Sequence, residues 1–205
     1  MLASCAQQCQ LKTVITSRAF LDKVKLTVPA EAVYLEDLAA KPGLGEKLIA
    51  LLLSKFLPPK PLERVLSGKA ATLDDLATVI FSSGSTGDPK GVMLTHWNVR
   101  SNVEQLGQTF AFNSRDKIVG ILPFFHSFGF TATIAAPAVL GCGVVYHPSP
   151  LDAKAIGELV RTYRCTFLLA TPTFLQLYLR ICEAEDFGSL QFVVTGAEKL
   201  PERLA

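Results

Sequence analysis

The residues with the densest chemistry lie between Ser82 and Lys90. Ser82-Ser83-Gly84-Ser85-Thr86-Gly87 is followed by Asp88-Pro89-Lys90-Gly91. Glycines let backbone N–H groups converge on one point, the hydroxyls of Ser82, Ser83, Ser85 and Thr86 add donors, and Lys90 adds a mobile positive charge. Donors converging beside a cation suit a polyphosphate. An ordinary Ser/Gly turn is the competing reading. The apolar, β-rich run from Thr78 to Phe81 leads straight into this loop and a proline precedes its lysine, which favours the phosphate. A Walker A loop is excluded. That motif needs G-x-x-x-x-G-K-[ST], and counting from Gly84, Pro89 holds the second glycine's place and Gly91 replaces the magnesium-binding hydroxyl.

Two further segments carry polar groups after apolar runs. Leu122-Pro123-Phe124-Phe125-His126-Ser127-Phe128-Gly129 sets one histidine among three phenylalanines. Such a histidine is either a satisfied core residue or a polar group at the mouth of an apolar pocket. Thr195-Gly196-Ala197-Glu198-Lys199-Leu200 is, by itself, only a turn after an apolar run.

The elements that must position these residues follow from periodicity. From Leu73 onward strands alternate with helices: strands at 78–82, 91–94, 117–122, 143–147, 166–170 and 190–195. One intervening helix carries Val99, Val103, Leu106 and Phe110 on one face with Thr95 as its N-cap, and another carries Ile156, Leu159, Val160 and Tyr163. This alternation predicts an α/β fold, a mostly parallel sheet flanked by helices, with ligands beyond the carboxyl ends of the strands. Each chemical segment follows a strand in that way.

Residues 1–72 are less regular. Short helices are expected at 3–10 and 17–25, a strand at 12–16 and a second strand or turn at 33–38. In 46–57, Leu48, Ile49, Leu51, Leu52, Leu53, Phe56 and Leu57 cover nearly the whole circumference of a helix. Such a helix packs on the core, or lies on a membrane or neighbouring domain with Lys47, Lys55 and Lys60 near phosphates. Pro58, Pro59 and Pro61 end it, and 58–73 reads as a linker. The expected organisation is therefore 1–72 as a partial N-terminal subdomain and 73–205 as a nucleotide-binding subdomain.

Composition narrows the classes. The 205 residues are 49% hydrophobic, enough for a sizeable core, and a net charge of +2 leaves no nucleic-acid footprint. The five cysteines (Cys5, Cys9, Cys142, Cys165 and Cys182) contain no C-x-x-C pair, so idle thiols in a reducing compartment are expected and no metal site. No signal peptide and no run of about 20 apolar residues for a membrane span is evident.

The run FSSGSTGDPKGV resembles, without a gap, the phosphate loop of adenylate-forming enzymes: acyl-CoA synthetases, luciferases and peptide-synthetase adenylation domains. Pro-x-x-His-x-x-Gly around His126 is similar to that family's second core motif, and Gly196-Ala197-Glu198 to its adenine-contacting segment. The resemblance implies part of the large N-terminal domain, with ATP and Mg2+ as cofactors. It implies nucleotide contacts from Ser82, Ser83, Gly84, Ser85, Thr86, Gly87, Lys90, Gly196, Ala197 and Glu198, and a catalytic His126 that orients the carboxylate. Thr171-Pro172-Thr173 is similar to the turn before a helix flanking the acyl pocket.

Within the family, KTVITSRAFLDKVKL, the Leu-rich helix and ILPFFHSFGF look most like the synthetase part of bifunctional acyl-[acyl-carrier-protein] synthetase/2-acylglycerophosphoethanolamine acyltransferases. That likeness implies an AMP-forming ligase activating a fatty acid for an acyl-carrier protein or CoA. It also implies a cytoplasmic place at the inner face of a bacterial inner membrane, with peripheral contact through 46–57. The order of family motifs implies truncation at both ends, without the magnesium-binding glutamate, the ribose-binding aspartate and the late catalytic lysine. The chain alone is then expected to be catalytically crippled, or a non-catalytic nucleotide- or acyl-binding fragment needing a separate partner.

Overall fold

A computed structural model describes residues 2–40, 42–68, 71–82 and 88–204. They fall into two units, Met1–His96 and Trp97–Ala205.

The first unit is built from short pieces. Helix α1 (Leu2–Gln8) precedes strand β1 (Thr13–Thr16), and helix α2 (Arg18–Val24) precedes β2 (Glu31–Tyr34) and α3 (Leu35–Ala40). β1 and β2 form a parallel pair from Thr13↔Glu31 to Thr16↔Tyr34. Ser17 caps α2, and its hydroxyl donates to Glu36 Oε1 at 2.8 Å, tying α2 to α3. Hydrogen bonds from its own backbone amide first, then from the Ser17 hydroxyl and the Arg18 amide, hold the Glu36 carboxyl below its ordinary range. The second strand or turn expected at 33–38 divides: β2 ends at Tyr34, and residues 35–40 are helical.

Helix α4 (Leu44–Phe56) forms where the Leu-rich periodicity places it, but does not pack on a core. None of its residues is buried; Leu44 is 88% exposed and Phe56 70%. The two-stranded sheets of this unit are too small to cover such a surface. The linker expected at 58–73 is corrected: helix α5 (Pro59–Ser67) occupies most of it. The prolines that stop α4 start α5, because a proline in the first helical turn gives up only an N–H that would be unpaired there anyway. Strands β3 (Leu76–Ser82) and β4 (Lys90–Thr95) close the unit as an antiparallel pair. This hairpin, grouped by the sequence reading with 73–205, lies in the first unit.

The second unit holds the core. Helix α6 (His96–Phe110) begins at its boundary and leads to β5 (Lys117–Gly120) and α7 (Ser127–Phe130). A π-helical turn (Thr131–Ala135), α8 (Ala136–Leu140), β6 (Gly143–Tyr146) and α9 (Ala153–Tyr163) follow. The unit ends with β7 (Phe167–Ala170), α10 (Pro172–Ile181) and β8 (Phe192–Thr195). The four strands form one parallel sheet in the order β6-β5-β7-β8.

Every residue of β7 is buried, as expected of an interior parallel strand covered on both faces. Side chains alternate between two clusters. Val119 and Leu168 pack with Ile156 and Val160 of α9 and Tyr178 of α10. Ile118, Phe167 and Leu169 pack on the opposite face with Ala132 and Phe128. The helical segment leaving β5 and the helix leaving β7 therefore cover opposite faces of the sheet. From β5 the chain adds β6 on one side and then β7 and β8 on the other, so the strand order reverses between β5 and β7, which is the switch point where open α/β sheets bind ligands.

Candidate functional site

Three loops of the second unit meet at the carboxyl ends of β5, β7 and β8. The first carries His126. Its Nδ1 accepts from the Phe128 amide at 3.3 Å and so caps α7, which fixes the imidazole at the start of the helix. Gly129 is obligatory for this packing: a Cβ there would stand 2.2 Å from the Pro123 carbonyl oxygen. Of the three phenylalanines around His126, Phe125 is 81% exposed and Phe124 sets its ring edge-on to Tyr146. Phe128 points inward and, with Phe110, Phe112, Phe167 and Val194, lines an apolar cavity of about 40 Å³.

The second loop begins at Thr171, whose hydroxyl accepts from the Phe174 amide and caps α10, with Pro172 as its first residue. The third follows β8. Gly196 passes Phe128, where an added Cβ would meet the ring at 3.7 Å. Ala197 has φ +68°, a left-handed conformation that costs a non-glycine residue about 1 kcal/mol or more. What holds it is Glu198, whose carboxylate accepts from the Thr173 hydroxyl at 2.6 Å and the Thr173 amide at 3.3 Å. Acidic charge at the N-terminus of a helix is favourable. The His126 loop thus meets Gly196 through Phe128, and Gly196–Glu198 is tied to Thr173, with the Glu198 side chain holding the turn.

The phosphate-loop expectation divides. Ser83, Gly84, Ser85, Thr86 and Gly87 lie outside the described residues. The two flanks are described: Ser82 pairs with Lys90 across β3–β4, so the hairpin closes the loop and returns Lys90 to the strand end from which it leaves.

Sequence reasoning missed Gln8. Its side-chain amide donates to the Pro89 carbonyl at 3.1 Å, bracing the loop's exit from 81 residues away. No local pattern marks that pairing. His96 and Trp97 lie at the start of α6, and His147 Nε2 lies 3.5 Å from the Asp152 carboxylate that caps α9. Among the described residues no group of three or more His, Cys, Asp or Glu is placed to hold a metal ion, and no helix is long and apolar enough to cross a membrane.

Comparison with known proteins agrees with this architecture. The sequence model described as AMP-binding enzyme matches residues 1–205. An acyl-CoA ligase of Ajellomyces capsulatus is 32% identical over 126 residues, which is 60% of this chain and 21% of the ligase. Among solved structures, a fatty acyl-adenylate ligase from L. pneumophila, in complex with acyl adenylate and pyrophosphate, superposes with a TM-score of 0.73 at 19% identity. The match covers 98% of this chain and 34% of that one. ATP-bound MatB from Rhodopseudomonas palustris gives 0.73 at 22% identity, over 99% of this chain and 38% of that one. At these identities the structures speak for the fold. The chain spans between about a fifth and two fifths of the length of these proteins.

Proposed function

Because this chain belongs to the AMP-binding enzyme family, we propose that it carries the acid-orienting and phosphate-gripping parts of a site that activates a fatty acid as acyl-AMP. The observation that supports this is the meeting of His126, Thr171–Thr173 and Gly196–Glu198 at three parallel strand ends, beside an apolar cavity lined by Phe128. A carboxylate oxygen of the acid attacks the α-phosphorus of ATP, the bond to pyrophosphate breaks, and acyl-AMP forms. His126 orients the carboxylate. Ser82 and Lys90 flank the loop that holds the β- and γ-phosphates, with Lys90 offsetting their charge. The backbone of Gly196 and Ala197 packs on the adenine, its shape set by Glu198. Mg2+ accompanies the nucleotide through its phosphates.

In a second step a thiol, of CoA or of an acyl-carrier protein, attacks the acyl carbon and displaces AMP. The exposed apolar residues of α4, with Lys47 and Lys55 on the same helix, support a peripheral contact with an anionic membrane surface. We place the protein at the cytoplasmic face of a bacterial inner membrane. Flotation with and without anionic vesicles checks that contact; chain that stays with the soluble fraction in both overturns it.

Binding to the chain itself tests the site. Calorimetry with ATP and with a non-hydrolysable acyl-adenylate analogue should show both ligands bound. Lys90→Ala should weaken ATP alone, since the analogue lacks the β- and γ-phosphates. His126→Ala should weaken the analogue. Failure to bind either ligand overturns the reading.

A further inference from the structure

The helical segment that leaves His126 contains an irregularity with a readable cause. Pro137 stands four residues after Thr133. In an α-helix the residue at that position donates its N–H to the Thr133 carbonyl; proline has none, and its ring clashes with that oxygen. The turn Thr131–Ala135 widens to a π-helix immediately before it, with the Ala136 amide donating to the Thr131 carbonyl. Such a widened turn is a known way of absorbing an interruption and recurs near functional sites. Thr133 is fully buried, so its carbonyl cannot turn to water.

The donor comes from another strand. Tyr146, the last residue of β6, donates its hydroxyl to the Thr133 carbonyl at 2.5 Å. Its ring reaches there by crossing β5 at Gly120, where any Cβ would stand 2.4 Å from the ring. The same ring receives Phe124 edge-on, with centroids 5.4 Å apart at 86°. Tyr146 therefore touches the chain two residues before His126 and seven residues after it. The Thr133 hydroxyl extends the link back to the Gly129 carbonyl at 2.7 Å, inside the turn that His126 caps.

We propose that Tyr146 is a positioning residue for His126, bolting both ends of the His126 segment to the sheet edge by replacing the donor that Pro137 removes. The consequence for acid activation rests on the function proposed above; the positioning itself does not.

Tyr146→Phe keeps the ring and deletes only the hydroxyl. With no nucleotide present, amide exchange at Phe128 and Phe130 and the imidazole 15N shifts of His126 report whether the cap is intact. Loss of the bond should accelerate exchange about tenfold, the effect of one net hydrogen bond of about 1.4 kcal/mol. The imidazole signals should move as well. Tyr178→Phe is the control. Tyr178, unlike the half-exposed Tyr146, is buried, and it too donates its hydroxyl to a backbone carbonyl, that of Pro150, at 2.7 Å, so its loss should lower stability without moving the His126 signals.

Pro137→Ala supplies the missing N–H. In that background Tyr146→Phe should change exchange less than about twofold. Pro137→Ala can be compared with wild type even where Tyr146→Phe folds poorly, and should itself leave the His126 signals in place. The proposal is overturned by unchanged exchange and shifts in Tyr146→Phe, by an equal response in Tyr178→Phe, or by a full Tyr146→Phe effect in the Pro137→Ala chain.

Discussion

The two units spend similar side chains in different ways. Residues 97–205 set their apolar groups on a parallel sheet covered on both faces, and Ile156, Val160, Leu168 and Tyr178 are sealed from solvent. Residues 1–96 carry an even more leucine-rich helix, yet among their described residues just Ala6 and Pro89 are buried. The difference lies in the sheets. Four strands with helices on each side enclose a volume, whereas the two-stranded pairs β1–β2 and β3–β4 present only faces. Hydrophobicity does not by itself make a core; closure does.

The largest test of that contrast exchanges one leucine in each unit. Leu168→Ala, at 1% exposure, should cost about 2–5 kcal/mol by urea unfolding. Leu51→Ala, at 59% exposure, should stay within about 0.5 kcal/mol. Equal losses would show that α4 is buried in solution. Next in size is Gly129→Ala, which forces a methyl group onto the Pro123 carbonyl and should cost about 1–3 kcal/mol. It should also disturb the amide signals of 123–130 before those of α9.

Helix caps should not distinguish the units. Asp152→Ala removes the cap of α9 and Ser17→Ala that of α2, and each should cost about 1 kcal/mol. A loss confined to the second unit would mean that α2 draws nothing from its cap.

The smallest effect is absent at neutral pH and grows in alkali. Burial pushes the thiols of Cys142 and Cys165 upward, and the phenol of Tyr178 far upward. A group whose pKa is raised on folding stabilises fully below its unfolded pKa and loses that contribution as pH climbs through the folded value. The second unit should therefore weaken above about pH 8.5, where an unfolded thiol ionises, as seen by urea midpoints at pH 7 and 10. Ellman's reagent should reach the half-buried Cys5 and Cys9 of the first unit before Cys142 or Cys165.

Much of this protein is written locally. The strand–helix alternation from residue 73 onward, the hydroxyl- and glycine-rich run ending at Lys90, and His126 at a strand end all follow from neighbours within a few positions, where periodicity and turn chemistry act. The error at 58–73 was local too: three prolines read as a break when Pro59 was a beginning, because proline both stops one helix and starts the next. What only the tertiary structure decided are the long pairings. The β6-β5-β7-β8 order, Gln8 against Pro89, Glu198 against Thr173 and Tyr146 against Thr133 join residues that no short window contains. The same holds for burial: the apolar circumference of α4 was legible from its leucines, but whether anything covers it depends on what the rest of the chain encloses. Sequence specifies which groups want partners. Chain topology decides which partners are within reach.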